Sequence, residues 1–327
     1  MLKKLIPVRI RQVYANIIDT NKLRYRYYNE PEIPSAIPMI VYMCDGRLAH
    51  GGLSDRLSGL ISTYDYCKTH NRIFKVNWDF PYKLEEFLEP NNYDWRVQKE
   101  ELSFSKHQTS VLRLTIMWDI WKQRKYANRY LGRHQNQVHL YTNMKYFFPC
   151  NFKYLFQELF KPSPLLENAI QKQLLKLNGD YVSITFRFQQ LLGDFKEGHY
   201  PTLKNETSRK ELINKCLKYI EFVKTRHPEV STILVTSDSV TFLKAATTYN
   251  FVHVIPGKVV HVDNDGRKSD KSIHLKSFID LFLIAHAKKI YNVIIPPLYH
   301  TTFPMLASFI YGHEYEELST DLTEVIK

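Results

Sequence analysis

A chain of 327 residues exceeds the usual size of one hydrophobic core, so two domains of about 150 residues each are expected, and a hydrophobic content of 44% is ample for both. The net charge of +12 implies attraction to something anionic, whether nucleic acid, an acidic membrane surface or a phosphorylated substrate. No apolar run approaches the roughly 18 residues needed to cross a bilayer, and the N-terminus has no signal-peptide pattern, so a cytoplasmic location is expected. Cys44, Cys67, Cys150 and Cys216 have neither the spacing of a zinc site nor that of a disulfide framework and are read as small buried hydrophobes.

Much of the charge comes early. Lys3, Lys4, Arg9, Arg11, Lys22, Arg24 and Arg26 stand against a lone Asp19, with Leu2, Leu5, Ile6, Val8, Ile10, Val13, Ile17 and Ile18 interleaved. This pattern fits a basic amphipathic segment in peripheral contact with an anionic membrane at its inner face, and equally an ordinary surface helix. "PMIVYMC" then reads as a strand, a helix follows from about Ser54, and "IFKVNW" is a second strand, which makes a parallel strand-helix-strand unit. Residues 80–160 mix aromatic and basic helical or irregular stretches. "FKPSPLLENAIQKQLLKLNGD", with Pro162 and Pro164 before a helix, marks a boundary.

The second half alternates more plainly. "YVSITFRF", "STILVTS", "FVHVIP" and "KIYNVII" are strands, separated by helices in "RKELINKCLKYIEFVKTRH", "SVTFLKAATTY" and "HLKSFIDLFLIAHAK" and followed by one in "TTFPMLASFIY". Alternation of this kind specifies a parallel sheet covered on both faces. The expected fold is α/β, with an N-terminal Rossmann-like domain over residues 1–160 and a C-terminal one over 161–327, their sheets facing a central cleft. The last helix is expected to return to the N-terminal half.

In such sheets ligands sit where strand ends lead into helix starts, which selects the residues to weigh. Leu53, Leu57, Leu60, Ile61 and Tyr64 recur at helical spacing, with Ser54 as the expected cap. Gly51 and Gly52 let the backbone approach a ligand, and Asp55 and Arg56 fall in the first helical turn, where a guanidinium suits a phosphate. A tight turn explains the glycines as well. Arg187 at the end of "YVSITF" is placed to hold a pyrophosphate and steady a leaving group, or else to pair with a surface carboxylate. The loop after it carries Asp194, Glu197 and His199, among which Glu197 and Asp194 are the candidates to take a proton from an attacking hydroxyl. Ser237, Asp238, Ser239, Thr301 and Thr302 cap helices or hold ribose and phosphate oxygens. Asp263 and Asp265 have a chelating spacing but read as a surface turn, and no metal is expected to be required.

"GGLSDRLSGLISTYDYCK" is similar to the "GGLGDRL" loop and helix of the fucosyltransferase superfamily of GT-B, two-Rossmann architecture. That superfamily includes nodulation, core α1,6, plant cell-wall and protein O-fucosyltransferases. "YVSITFRFQQLLGDF" stands where it has a strand ending in His-x-Arg, "ILVTSDS" resembles its "ATD" turn, and "FIDLFLIAHAKKIYNVIIPPLYHTTFPMLAS" resembles its Asp-Leu helix and following loop. The matches span roughly residues 40–80 and 180–310, and the overall look is that of bacterial surface-polysaccharide glycosyltransferases (lipopolysaccharide, capsule). The resemblance implies inverting, metal-independent transfer of fucose from GDP-fucose to a sugar hydroxyl, with no further cofactor and with a glycan acceptor, in some cases lipid-linked, as partner. It implies Arg187 at the β-phosphate, Asp238 and Ser239 near the nucleotide, Asp280 as the aspartate of the Asp-Leu helix, and Thr301 and Thr302 at the diphosphate. The motif's histidine and second arginine are missing, with Thr185, Phe186 and Phe188 around Arg187, so another nucleotide-activated donor stays open. A nucleic-acid-binding protein and a non-catalytic carbohydrate-binding protein are the readings from other classes; the first lacks any recognisable nucleic-acid-binding motif.

Overall fold

The computed structural model describes residues 8–27, 30–114, 128–129, 131–132, 137–143, 151–195, 200–257 and 272–320. The chain divides into two compact units, Met1–Glu85 with Glu89–Lys161, and Glu86–Leu88 with Pro162–Lys327. Among the described residues no helix is long and apolar enough to cross a membrane. The last helix read in the sequence, for which a return to the first half was expected, is Phe303–Tyr311 and belongs to the second unit; residues 321–327 lie outside the described residues.

The first unit contains α1 (Val8–Tyr27), β1 (Ile40–Cys44), α2 (Leu53–Thr69), β2 (Phe74–Trp78), β4 (Thr109–Leu114), β5 (Gln137–Thr142) and α3 (Phe152–Leu159). Two short strands, β3 (Leu88–Pro90) and β6 (Phe160–Pro162), pair separately. Its sheet has the order β2-β1-β5-β4 and is parallel throughout. All five residues of β1 are buried, which is why that strand reads as one apolar run rather than an alternation. Gly59 lets α2 press on the sheet, since a Cβ there would lie 2.5 Å from the Thr142 carbonyl oxygen.

Residues 80–160 hold β4 and β5, two strands of this four-stranded sheet, where the sequence offered mixed helical or irregular stretches. β5, "QVHLYT", carries Gln137, His139 and Thr142, polar residues that are nevertheless fully buried. Their partners come from far along the chain. Gln137 Oε1 accepts from the Ser103 N–H at 3.1 Å, the Thr142 hydroxyl donates to the Leu114 carbonyl at 3.0 Å, and His139 Nδ1 lies 2.8 Å from the Tyr27 hydroxyl.

The second unit contains α4 (Pro164–Leu177), β7 (Tyr181–Phe186), α5 (Glu206–Arg226), β8 (Thr232–Ser237), α6 (Val240–Ala246), β9 (Val252–His253), α7 (Ser272–His286), β10 (Lys289–Val293), α8 (Phe303–Tyr311) and β11 (Glu314–Leu318). Ser163 caps α4 by accepting from the Leu166 N–H, with proline in the first turn, and Asn178 ends it in the left-handed conformation. The parallel sheet has the order β11-β10-β7-β8-β9. The chain runs outward from β7 through β8 to β9, then crosses back so that β10 lies on the other side of β7. The strand β11, "EYEEL", was not expected, because three glutamates hide a strand. It lies at the sheet edge, where Glu316 meets Arg226 and Lys289, and Glu314 meets Lys289.

His139 supplies a test of the first unit. Burial, aided by the nearby Arg26 charge, lowers its pKa to about 3. The unfolded chain takes up this proton near pH 6.5 while the folded one does so only near 3, so the stability is present above about 6.5 and is lost as pH falls through that window. Urea unfolding measured across it should show a loss approaching about 1.4 kcal/mol per pH unit from this residue, and His139→Gln should remove that part of the slope.

Candidate functional site

β7 and β10 are the neighbours at which the second sheet reverses its order, the position where open parallel sheets bind ligands. β7 ends at Phe186, and Arg187 is the first residue beyond it rather than a member of the strand. The Arg187 carbonyl accepts from the Tyr299 N–H at 2.9 Å, which joins the end of β7 to the loop after β10. That loop leads through Thr301 and Thr302 into α8, with Thr302 at the cap position, proline in the first turn, and the Thr301 hydroxyl accepting from the Phe303 N–H at 3.2 Å. One strand end thus carries Arg187 and is joined through this loop to a helix start. Both favour an anion.

Asp238 fixes this arrangement. It is the residue after β8, buried, and its carboxylate accepts from the Phe188 N–H at 2.8 Å and the Gln189 N–H at 2.7 Å. Its Oδ2 also lies 3.1 Å from Arg187 Nη1. The turn it holds needs holding, because Gln189 sits at φ 52°, where residues with a Cβ are disfavoured. Burial keeps the Asp238 carboxyl above the ordinary aspartate range, although Arg187 and the two amides favour its ionised form. The Arg187 guanidinium also stands 4.8 Å from the centre of the Phe195 ring, and its side chain is 17% exposed.

The residues flanking Asp238 face inward too. Ser237 accepts from the Ser239 N–H, and Ser239 caps α6 through the Phe242 N–H while donating to Asp194 Oδ2 at 2.9 Å. Asp194 accepts from the Thr241 N–H at 2.7 Å as well, so it ties the β7 loop to the start of α6. Both bonds fall on Oδ2, so one oxygen of the expected base is committed to structure, while Oδ1 has no partner among the described residues. Glu197 and His199 lie outside the described residues, as do Asp263 and Asp265. Asp280, on α7, is buried with both oxygens 2.5 Å from Lys276 Nζ, one turn earlier. Burial raises its pKa against the pull of Lys276.

In the first unit the glycine loop differs from its reading. Only Gly51 needs glycine, at φ 82°; Gly52 caps α2 at φ −71°, ψ 177°, which any residue adopts. Ser54, expected as the cap, lies inside the first turn and is buried. Arg56 is 1% exposed and is held by the structure rather than presented to a phosphate. Its donors reach Cys44 Sγ at 2.8 Å, the Phe80 carbonyl at 3.0 Å and the Gly51 carbonyl at 3.2 Å. Asp55 remains at the helix start, where its negative charge complements the dipole and opposes a second anion.

Sequence reading passed over Asp45, the residue after β1. Its carboxylate meets Arg26 Nη1 at 2.9 Å, the Tyr141 hydroxyl at 3.1 Å and Arg47 Nε at 3.4 Å. Tyr200 and Tyr299 were also passed over. They pair edge to face at 6.1 Å beside the β7 and β10 ends and are both exposed. Only their positions after predicted strands gave a signal for either group. Among the described residues no cluster of three or more His, Cys, Asp or Glu side chains is arranged to hold a metal ion.

No protein-family model matches the chain, and no curated protein matches it. Solved structures do. The fucosyltransferase NodZ from Bradyrhizobium is similar over 88% of this chain and 96% of its own, at 13% identity and a TM-score of 0.57. A structure of NodZ α-1,6-fucosyltransferase soaked with GDP-fucose has the same identity and coverage and a TM-score of 0.55. A mutant of FUT1 from Arabidopsis thaliana, in complex with GDP, is similar over 92% of this chain and 74% of its own, at 11% identity and a TM-score of 0.56. The chain therefore has the fold of these fucosyltransferases: α/β, of GT-B type, with two Rossmann-like units built on parallel sheets.

Two substitutions test the local analysis. Asp238→Ala leaves two buried amides without their acceptor and should lower the unfolding free energy by roughly 2–4 kcal/mol in urea melts. Gly51→Ala should cost about 1 kcal/mol or more, since its Cβ would lie 2.5 Å from Asp55 Oδ2 at a positive φ, whereas Gly52→Ala should cost much less.

Proposed function

We propose that the chain is an inverting, metal-independent glycosyltransferase that moves fucose from GDP-fucose to a sugar hydroxyl of a bacterial surface glycan or its lipid-linked precursor. The observation that carries this reading is Arg187, held by Asp238 at the β7 end beside the loop into α8. That is the strand end at which such sheets take nucleotides, and its charge is the sign a diphosphate needs. In this reading the second unit binds the donor and the first binds the acceptor.

The acceptor oxygen attacks the anomeric carbon as the bond to the β-phosphate oxygen breaks, and GDP leaves with the electron pair. Arg187 and the α8 N-terminus stabilise the charge that develops on the leaving phosphate, the task a divalent cation performs in other transferases. Thr301 and Thr302 line the same helix start. With Asp194 fixed at α6, Glu197 keeps the role of taking the acceptor proton. A donor with a different nucleobase is the second reading. It is favoured by Asp280, whose carboxylate is already held by Lys276, and by Thr185, which stands where the family has histidine and bonds Thr236 across the sheet at 2.8 Å.

Thermal unfolding with GDP, UDP, CMP and their sugars tests both readings. GDP and GDP-fucose at a hundred times Kd should stabilise by about 2.7 kcal/mol, and Arg187→Ala should abolish the shift. Preference for UDP or CMP would remove the fucosyl assignment and leave glycosyl transfer standing. Glu197→Gln should keep the GDP shift while lowering kcat by roughly 10²–10⁴-fold.

A further inference from the structure

The helix α1 has two faces that do different things. Asp19, Leu23, Arg26 and Tyr27 share one side, at the spacing i, i+4, i+7 and i+8. Leu23 and Tyr27 are buried, Asp19 pairs with Arg113 at 3.0 Å, and Arg26 reaches Asp45 while its guanidinium stands 3.4 Å from the Phe104 ring centre. This face anchors the helix to its own unit.

Tyr14, Ile17, Ile18 and Tyr25 share the opposite side, at i, i+3, i+4 and i+11, and all four are exposed, Tyr14 and Tyr25 by 67% and 75%. Lys22 and Arg24 are exposed and flank this stripe, one on each side. The one acidic residue of the helix, Asp19, is turned inward and already paired. The outward face therefore offers aliphatic and tyrosine side chains around an exposed Asn21, between cations and with no carboxylate among them. Water disfavours the first group, and an anionic partner is attracted by the second.

We propose that this face of α1 is a docking surface for an anionic phospholipid bilayer, lying in the headgroup plane with Ile17, Ile18 and the two tyrosines entering the acyl boundary. A protein groove would need acidic walls to match the flanks. An anionic lipid surface supplies the apolar layer and the charge together, and tyrosine suits that boundary because its ring is apolar and its hydroxyl is wet. The proposal rests on α1 alone and does not depend on the reaction assigned above.

Co-sedimentation of the full chain with phosphatidylcholine vesicles, with and without phosphatidylglycerol, tests it. Binding should require phosphatidylglycerol and weaken as salt rises. Lys22→Ala with Arg24→Ala should weaken it roughly 30-fold. Ile17→Asp with Tyr25→Asp should abolish it, with circular dichroism and the melting temperature unchanged because these side chains face solvent. Equal binding to both vesicle types, no binding to either, or indifference to both double variants would overturn the proposal. So would light scattering that shows a dimer converted to monomer by the same variants, which would make a second copy the occupant.

Discussion

The second unit is organised around one carboxylate. Asp238 sits in the turn from β8 to α6, yet its hydrogen bonds go to the turn that leaves β7, so two neighbouring strand ends are fastened through a single side chain. The fastening is polar inside a packed aromatic setting, with Phe186 and Phe188 against Phe242 at 4.6 and 4.9 Å between ring centres. A hydrogen bond shielded from water in this way is stronger than an exposed one, and a group left without a partner costs more. The role proposed for Arg187 draws on that rigidity. A guanidinium whose backbone and one nitrogen are already fixed loses little further freedom when it meets a phosphate.

The two units answer different electrostatic needs at their strand ends. In the first, Asp45 gathers Arg26, Arg47 and Tyr141 around a carboxylate, and Asp55 places a second negative charge at the start of α2. The local field there is already balanced. In the second, the α8 start carries no acidic residue in its first turn and stands beside Arg187. An anionic ligand gains more from the second site, which is the physical ground for the proposal that this unit binds the nucleotide. The first-unit network also explains why α1 is held firmly on one side while its other side faces solvent.

The order of strands and helices in the second unit was legible in the sequence because buried parallel strands are short apolar runs and their covering helices are long and periodic. β4, β5 and β11 were not legible, since Gln137, His139 and Thr142 look like surface residues until Ser103, Leu114 and Tyr27 are seen to satisfy them. The same limit applied to the site. Position after a strand selected Arg187, Asp238, Thr301, Arg56 and Asp194 alike, and only the fold shows that Arg56, Asp238 and one oxygen of Asp194 are engaged by the protein itself.

The sequence by itself determined the α/β class, the place of the strand ends and the sign of charge at each, because these follow from periodicity and residue type over short spans. Tertiary structure alone decided which charged side chains remain available. Arg56 is engaged by Cys44 and Phe80, twelve and twenty-four residues away, and Asp238 by Phe188 and Gln189, fifty and forty-nine away. A polar side chain is free for a ligand only when no nearer partner has claimed it, and such partners are set by the packing of distant segments.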